Sequence, residues 1–234
     1  MDFCNNNNLE LIINDDVTFV IIIKNNMNGN NISGINWNNL IDNFFMENIK
    51  SDMIFCDAGS CKGDVTDFFS KVSSDPLNNI YAFDINPNNP HLKGCIFNMK
   101  AISDFDGIEK VYSAGNDWMG NILGHNDEYL PTDIVISEVE SIRLDTFFRD
   151  KKVDCLKMDI EGAELKALKG GLNTIKNCSV ILIECHLDND WVEIYDILES
   201  IGLDFYQLSS NKRIERRIED NINGVRPYQI YYKR

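Results

Sequence analysis

The sequence predicts an α/β fold with a mainly parallel sheet, helices on both faces and an antiparallel last strand. Two observations carry this prediction. From residue 53 onward, uninterrupted apolar runs alternate with segments of helical spacing, the pattern of a parallel sheet covered on both faces. The last two β-like runs, 204–208 and 228–232, are joined by a charged stretch without an apolar crossover helix, so the last strand is expected to be antiparallel.

The first 50 residues follow a different pattern. Two β-rich runs, 9–13 and 17–24, predict a hairpin. Apolar residues between positions 37 and 49 then recur at helical spacing and predict an amphipathic helix. We therefore expect an N-terminal extension of hairpin and helix, residues 1–50, followed by one larger domain, residues 51–234.

The larger domain is read as strands alternating with helices. Strands are predicted at residues 53–56, 80–83, 95–99, 111–114, 134–139, 155–158 and 180–185, the fourth and fifth belonging to an irregular insert. Helices are predicted at residues 65–72, 163–168 and 192–201. Because such sheets bind ligands beyond the carboxyl ends of their strands, residues that follow the strands are the candidates for chemistry.

Charge excludes several classes of partner. The chain has 234 residues and a formal net charge of −15, which repels a phosphate backbone. Its one basic cluster, Lys212, Arg213, Arg216 and Arg217, is interspersed with acids and is interpreted as a solvated face. Because of this charge, we expect no general nucleic-acid binding. We also expect no membrane association, since no apolar run approaches the ~20 residues of a spanning helix.

Cysteine usage indicates a reducing compartment. The seven cysteines include no CxxC pair, and several lie within apolar runs, so they are interpreted as small buried hydrophobes. The N-terminus has no basic region before an apolar run and does not resemble a signal peptide. We expect a soluble, cytoplasmic protein, and the sequence carries no indication of its oligomeric state.

The loop after the first strand of the larger domain contains two glycines four positions apart. Gly59 and Gly63 allow a tight turn and close backbone approach to a ligand. Neither the GxGxxG nor the GxxxxGK[ST] phosphate-binding pattern is present. The acid Asp57, shortly before the first glycine, disfavours a pyrophosphate and suits a ligand with positive charge and hydroxyls. A plain strand-to-helix turn is the alternative interpretation.

Acids also end the following strands. Asp84 lies 27 positions after Asp57, where it can accept hydrogen bonds from a ribose diol. A turn-forming aspartate is the alternative for Asp84. Three further carboxylates, those of Asp159, Glu161 and Glu164, lie between an apolar strand and a helix. We interpret Glu164 as an acid that complements the helix macrodipole, and Asp159 and Glu161 as candidates for chemistry.

His186 is the candidate general base. It is the only one of three histidines, with His91 and His125, that directly follows an apolar strand of the sheet. An imidazole has a pKa near operating pH and can take the proton of a hydroxyl. The alternative is a strand-end histidine with a structural hydrogen bond.

Several motifs together resemble the FkbM family of methyltransferases. The likeness runs from about residue 53 to residue 187. In chain order the motifs are DxGxxxGxxT at 57–66, Tyr81-Ala82-Phe83-Asp84, Lys100-Ala101-Ile102-Ser103-Asp104 with Gly107, Arg143-Leu144-Asp145, and KMDIEGAE at 157–164 with Leu168-Lys169-Gly170. The KxDxEGxE element is the most distinctive of them.

This resemblance implies a class I methyltransferase fold that uses S-adenosylmethionine. Asp57, Gly59 and Gly63 would line the methionine end of that cofactor, Asp84 would hold its ribose, and residues 101–103 would flank its adenine. The complete set of expected cofactor-binding residues is Asp57, Gly59, Ser60, Gly63, Asp84, Ala101, Ile102 and Ser103. The expected catalytic residues are Asp159 and Glu161, near the transferred methyl group, and His186.

The expected function is therefore O-methylation of a hydroxyl on a sugar, a glycan or another small metabolite, with no metal in the site. Two alternatives remain open at this point. Asp159, Glu184 and His186 resemble the acid-rich strand ends of magnesium-dependent O-methyltransferases, and carboxylates suit magnesium. A non-catalytic binding module that keeps the fold is the other alternative, because Ser60-Cys61 stands where the family usually has Ala-Asn.

Overall fold

The computed structural model describes residues 9–14, 18–23, 37–86, 93–114, 120–122, 134–221 and 227–234. The chain divides into two compact units, Met1–Glu47 and Asn48–Arg234. Among the described residues, no helix combines the length and the apolar character that crossing a membrane requires.

The N-terminal unit contains two paired strands and all but the last residue of a helix. Strand β1 (Leu9–Asn14) pairs antiparallel with β2 (Thr18–Ile23). Helix α1 (Trp37–Asn48) buries Phe44 and Phe45, whose ring centroids lie 5.3 Å apart.

The larger unit alternates strands and helices. Its strands are β3 (Phe55–Ala58), β4 (Ile80–Asp84), β5 (Ile96–Met99), β6 (Ala101–Ile102), β7 (Gly107–Ala114), β8 (Gly120–Ile122), β9 (Ile134–Ile142), β10 (Cys155–Met158), β11 (Val180–Glu184), β12 (Tyr206–Gln207), β13 (Lys212–Arg213) and β14 (Gln229–Lys233). Its helices are α2 (Asp64–Val72), α3 (Pro76–Asn79), α4 (Leu144–Phe147), α5 (Glu164–Gly170), α6 (Leu172–Asn177) and α7 (Trp191–Ser200).

The main sheet has the described strand order β13-β12-β14-β11-β10-β3-β4-β5. The five strands from β11 to β5 are parallel to their neighbours, whereas β14 runs antiparallel to β11. The predicted mainly parallel sheet with an antiparallel last strand is confirmed. Every residue of β3, β10 and β11 is buried, which explains why the sequence of these strands is largely apolar.

A second sheet replaces the irregular insert that the sequence predicts. It has the order β6-β9-β7-β8, with β7 antiparallel to β9 over eight residue pairs. Pairing partners such as Gly107 and Ser141 lie far apart in the chain, so a local pattern could not reveal the sheet.

The sequence does not predict three short helices. Helices α3, α4 and α6 have four, four and six residues, too few for a periodic pattern. Asp145 on α4 accepts hydrogen bonds from the backbone N–H groups of Asn173 and Thr174, at 3.1 and 2.8 Å. This carboxylate therefore satisfies the first turn of α6 from a neighbouring helix.

Candidate active site

The carboxyl ends of four neighbouring parallel strands meet at one edge of the main sheet. The loop after β3 is tied to β4, because the N–H groups of Gly59 and Ser60 both donate to the carbonyl of Phe83 at 2.9 Å. The loop after β10 is tied to β3, because the N–H of Asp159 donates to the carbonyl of Ala58 at 3.0 Å. The residues that the sequence singled out after β3, β4 and β10 are thus held side by side.

Gly59 is required by close contact between two loops. Its φ is +78°, and a Cβ at this position would lie 1.7 Å from the carbonyl oxygen of Asp159. Gly63, also left-handed at φ +89°, precedes α2 and donates its N–H to the carbonyl of Ser60 at 2.7 Å. The close approach that the structure shows at Gly59 is to the protein backbone of the Asp159 loop.

Asp57 lies inside β3 and is fully buried. Its Oδ2 accepts a hydrogen bond from the hydroxyl of Thr66 at 2.6 Å. Its Oδ1 has no hydrogen bond within the described part of the chain and lies 3.5 Å from Nζ of Lys157, its neighbour across the parallel pair. The negative charge of Asp57 is therefore balanced by one buried cation.

Lys157 connects three parts of the site. Its Nζ donates to the carbonyl of Gly59 at 2.7 Å and lies 3.4 Å from Oδ2 of Asp159. Burial alone would lower the pKa of Lys157, but the carboxylates of Asp57, Asp159 and Glu184 outweigh it and raise the pKa. Lys157 is thus a buried ammonium group that holds the Gly59 loop against the end of β10.

Asp84 has acceptor capacity left for a ligand. Its Oδ2 accepts from the N–H of Cys61 at 2.6 Å, and its Oδ1 from the N–H of Asn86 at 2.7 Å. Partial burial raises the pKa of Asp84, although both hydrogen bonds oppose this shift. Each carboxylate oxygen can accept one further bond, as a diol would require. In the loop after β3, next to Cys61, the buried hydroxyl of Ser60 has no hydrogen-bond partner among the described residues.

Residues 101–103 are buried beside the site. Ala101 packs in an apolar cluster with Ile85 and Ile160, which directly follow Asp84 and Asp159 in the chain. The hydroxyl of Ser103 already donates to Oε2 of Glu109 at 2.8 Å. These positions therefore offer a ligand apolar surface and backbone more readily than a free hydroxyl.

His186 lies beside the other two expected catalytic residues, Asp159 and Glu161. Its Nε2 lies 3.6 Å from Oδ1 of Asp159 and 3.5 Å from Oε2 of Glu161. Its Nδ1 lies 2.7 Å from Oε1 of Glu164. The ring of Tyr228 packs edge-on at 5.4 Å between centroids, and its hydroxyl lies 3.4 Å from Nε2.

The carboxylates around His186 favour its protonated form. Burial would lower the pKa of His186, but Glu164, Glu161 and Asp159 outweigh it and raise the pKa above its ordinary value of 6.5. Burial raises the pKa of Glu161 in turn, against the effect of His186. The imidazole can therefore accept a proton and hold it as a stabilised cation.

The sequence profile of the methyltransferase FkbM domain matches residues 57–205. That span is more than half of the chain and includes every expected site residue. The chain belongs to the FkbM methyltransferase family.

Three solved structures are similar to the chain to different extents. The FkbM methyltransferase from Methylobacillus flagellatus KT superposes with a TM-score of 0.50 at 15% identity, over 79% of this chain and 44% of the other. An rRNA methylase from Streptococcus thermophilus has a TM-score of 0.42 at 15% identity, over 83% and 94%. A TehB-like SAM-dependent methyltransferase from Corynebacterium glutamicum ATCC 13032 Kitasato has a TM-score of 0.41 at 13% identity, over 88% and 90%.

These comparisons confirm both the family resemblance and the class I methyltransferase fold that the sequence predicts. The chain spans less than half the length of the M. flagellatus protein. No curated protein sequence matches the chain.

The sequence analysis assigns no role in chemistry to three residues of this FkbM site. Lys157 could have been found from the sequence, because it is a lone lysine within an apolar strand. A lysine buried there needs an anion nearby to pair with its charge, and Asp57 is that anion. Glu164 does begin α5, as expected of a first-turn acid, but it is also buried against His186. Tyr228 approaches His186 from 42 positions away, and no local pattern indicates such a contact.

One trio in the FkbM site has the spacing of a metal site. Asp159, Glu184 and His186 each offer one ligand atom, and these atoms lie within 4.8 Å of one another. All three already have partners within the protein, His186 through Nδ1, which lies 2.7 Å from Oε1 of Glu164. Glu184 accepts a hydrogen bond from the side chain of Gln229 at 2.6 Å, and Asp159 lies beside the ammonium group of Lys157.

Proposed function

We propose that this FkbM-family chain is an S-adenosylmethionine-dependent O-methyltransferase that acts on a hydroxyl of a sugar, a glycan or another small metabolite. The observation that carries the proposal is the position of His186. Its Nε2 lies 3.5 Å from Oε2 of Glu161 and 3.6 Å from Oδ1 of Asp159. These two acids belong to the loop after β10, which also contacts Gly59. A proton acceptor thus lies beside the glycine loop of a methyltransferase fold.

The chemistry of the site suits this cofactor. Asp84 would hold the ribose hydroxyls with the acceptor capacity that its two backbone bonds leave free. Asp57, Gly59 and Gly63 would line the methionine end, and the unpartnered hydroxyl of Ser60 would bond a polar group there. The adenine would lie against residues 101–103. Several carboxylates face one buried ammonium group, and this excess of negative charge favours a ligand that carries a sulfonium and an ammonium group.

The chain's part in the reaction is to align the acceptor and to receive its proton. When bound, the cofactor supplies a methyl group on a positively charged sulfur, which keeps the electron pair of the bond that breaks. Nε2 of His186 takes the hydroxyl proton as the acceptor oxygen becomes bonded to the methyl carbon. Asp159 and Glu161 then stabilise the imidazolium cation. No covalent bond between enzyme and substrate is needed, so alignment supplies much of the rate.

The charge of the site also supports a neutral acceptor. Asp159 and Glu161 are partly exposed beside Nε2 and would repel a phosphate or carboxylate group on the acceptor. The net charge of −15 disfavours RNA for the same reason. We further infer a cytoplasmic location, which the six free cysteine thiols among the described residues support.

Replacing Asp84 with alanine is expected to weaken cofactor binding by at least about tenfold, since hydrogen bonds to a charged group contribute about 1.5–3 kcal/mol. Isothermal titration of S-adenosylmethionine, and of its demethylated product, measures the loss. Asp204→Ala is the matched control, because this exposed aspartate forms an ion pair with the surface residue Arg213. Equal affinity in Asp84→Ala and wild type would show that the ribose lies elsewhere.

Two alternatives make different predictions in the same assays. A magnesium-assisted O-methyltransferase, which the Asp159, Glu184 and His186 trio favours, would lose its activity on chelation and regain it with added magnesium. A non-catalytic binding module would show no methyl transfer to any acceptor. Absence of binding by both cofactor and product at high micromolar concentration would contradict the enzyme altogether.

A further inference from the structure

Glu164 has a more specific environment than a first-turn acid requires. Its side chain is almost fully buried at 1% exposure. A single oxygen, Oε1, lies 2.7 Å from Nδ1 of His186 and accepts from the N–H of Gly162 at 3.1 Å and the N–H of Ile160 at 3.4 Å. Three hydrogen-bonding groups thus converge on one carboxylate oxygen.

The contact with Glu164 determines which nitrogen of His186 carries hydrogen. An ionised carboxylate only accepts hydrogen bonds, so Nδ1 at 2.7 Å must be the donor. In the neutral imidazole the remaining lone pair is then on Nε2. This is the nitrogen that lies beside Asp159 and Glu161 at the partly exposed side of the ring.

We propose that Glu164 is a positioning residue for His186, which holds the imidazole as its Nδ1–H tautomer with the Nε2 lone pair directed at the acceptor hydroxyl. The inference rests on the proposed role of His186 as the base. It adds the residue that makes Nε2 available, because the other tautomer would present a hydrogen to the acceptor and could not take its proton.

Glu164 also shapes the loop that presents Glu161. Glu161 and Gly162 are both left-handed, with φ of +54° and +98°. A left-handed residue that is not glycine is strained. The N–H groups of Ile160 and Gly162, on either side of Glu161, donate hydrogen bonds to Oε1 of Glu164 and so stabilise the turn. One side chain therefore orients the base and its neighbouring carboxylate together.

Four other charged or titratable groups of the described residues lie around His186. Asp159 and Glu161 come from the loop after β10, Glu184 from the end of β11, and Tyr228 from the residue before β14. Asp159 and Glu161 are 28% and 37% exposed in their side chains, so water screens them. Glu164 is both buried and within hydrogen-bond distance, so its charge has the strongest influence on the ring.

Two substitutions separate charge from geometry. Glu164→Gln keeps an oxygen acceptor for Nδ1–H and for the loop N–H groups but removes the charge. Glu164→Leu removes both. Glu193→Gln is the matched control, because Glu193 is exposed and pairs with Lys169 on the surface.

The test is a nitrogen-15 NMR titration of the histidine side chains in the full chain, with the His186 signals assigned from His186→Gln. Neutral wild-type His186 is expected to carry its hydrogen on Nδ1. Glu164→Gln should keep that tautomer and lower the pKa of His186, because a neighbouring opposite charge is lost. Glu164→Leu should also mix the tautomers, and Glu193→Gln should change neither property. Hydrogen on Nε2 in wild type, or an unshifted Glu164→Gln titration, would overturn the inference.

Kinetics with an identified acceptor distinguish this inference from the function it rests on. Glu164→Gln should lower kcat and shift the rising limb of the pH–rate profile to lower pH, with cofactor affinity unchanged. Combining it with His186→Gln should cause little further loss, because the two residues act as one unit. Methyl transfer by a wild type that fails the NMR test would overturn only the role of Glu164. The expected NMR result without methyl transfer would overturn the proposed function and, with it, the role of Glu164 in positioning a base.

Discussion

Gly59→Ala is expected to destabilise the larger unit by about 3–5 kcal/mol, which combines the cost of a left-handed alanine with that of overpacking. The new Cβ would lie 1.7 Å from the carbonyl oxygen of Asp159, so two backbone segments must separate. That separation would also disturb the bond from Lys157 to the carbonyl of Gly59. Urea unfolding followed by circular dichroism measures the loss of stability.

Gly202→Ala is the matched control for Gly59→Ala. Gly202 has nearly the same φ, +74°, but nothing lies within 4 Å of the position where a Cβ would be. Its alanine variant should show only the left-handed penalty of about 1 kcal/mol. Equal destabilisation by the two substitutions would mean that the contact between the Gly59 and Asp159 loops is not as close as described.

Lys157→Met is expected to destabilise the fold by about 3–5 kcal/mol, the cost of leaving a buried charge without its partner. Asp57 is fully buried, and its Oδ1 has no hydrogen bond to compensate for the lost ammonium group. The Gly59 loop also loses the bond that ties it to β10. Urea unfolding measures the change, and titration of S-adenosylmethionine should show weaker binding.

Two further variants test the cause of that loss. Lys169→Met removes an exposed lysine that pairs with Glu193 on the surface, and its unfolding curve should match wild type. Adding Asp57→Asn to Lys157→Met removes the orphaned charge and should recover part of the stability. If the double variant is less stable than Lys157→Met, the buried ion pair is not the reason for the effect.

Much of the fold follows from patterns that are local in the chain. The apolar strands β3, β10 and β11 are buried on both faces, so their sequences are distinctive. The antiparallel β14 follows from the lack of a crossover helix before it. The second sheet could not be predicted, since β7 pairs with β9 from a distant part of the chain and β6 has only two residues.

The candidate site could likewise be predicted from the sequence only in part. Asp84, Asp159 and His186 could be named because each lies at or just after the carboxyl end of a strand, at the same edge of the sheet. The role of Glu164 could not, because its burial depends on how α5 packs against the residue after β11. Likewise, only the fold brings Lys157 of β10 beside Asp57 of β3 and makes their charges mutually necessary.

The most direct test of the account is transfer of a labelled methyl group from S-adenosylmethionine to a panel of neutral glycans and small hydroxylated metabolites. Wild type should methylate at least one hydroxyl acceptor. His186→Gln should bind the cofactor as wild type does but transfer the methyl group about 10²–10⁴-fold more slowly, the usual contribution of a general base. Undiminished transfer by His186→Gln, or no transfer by wild type to any acceptor of the panel, would contradict the account.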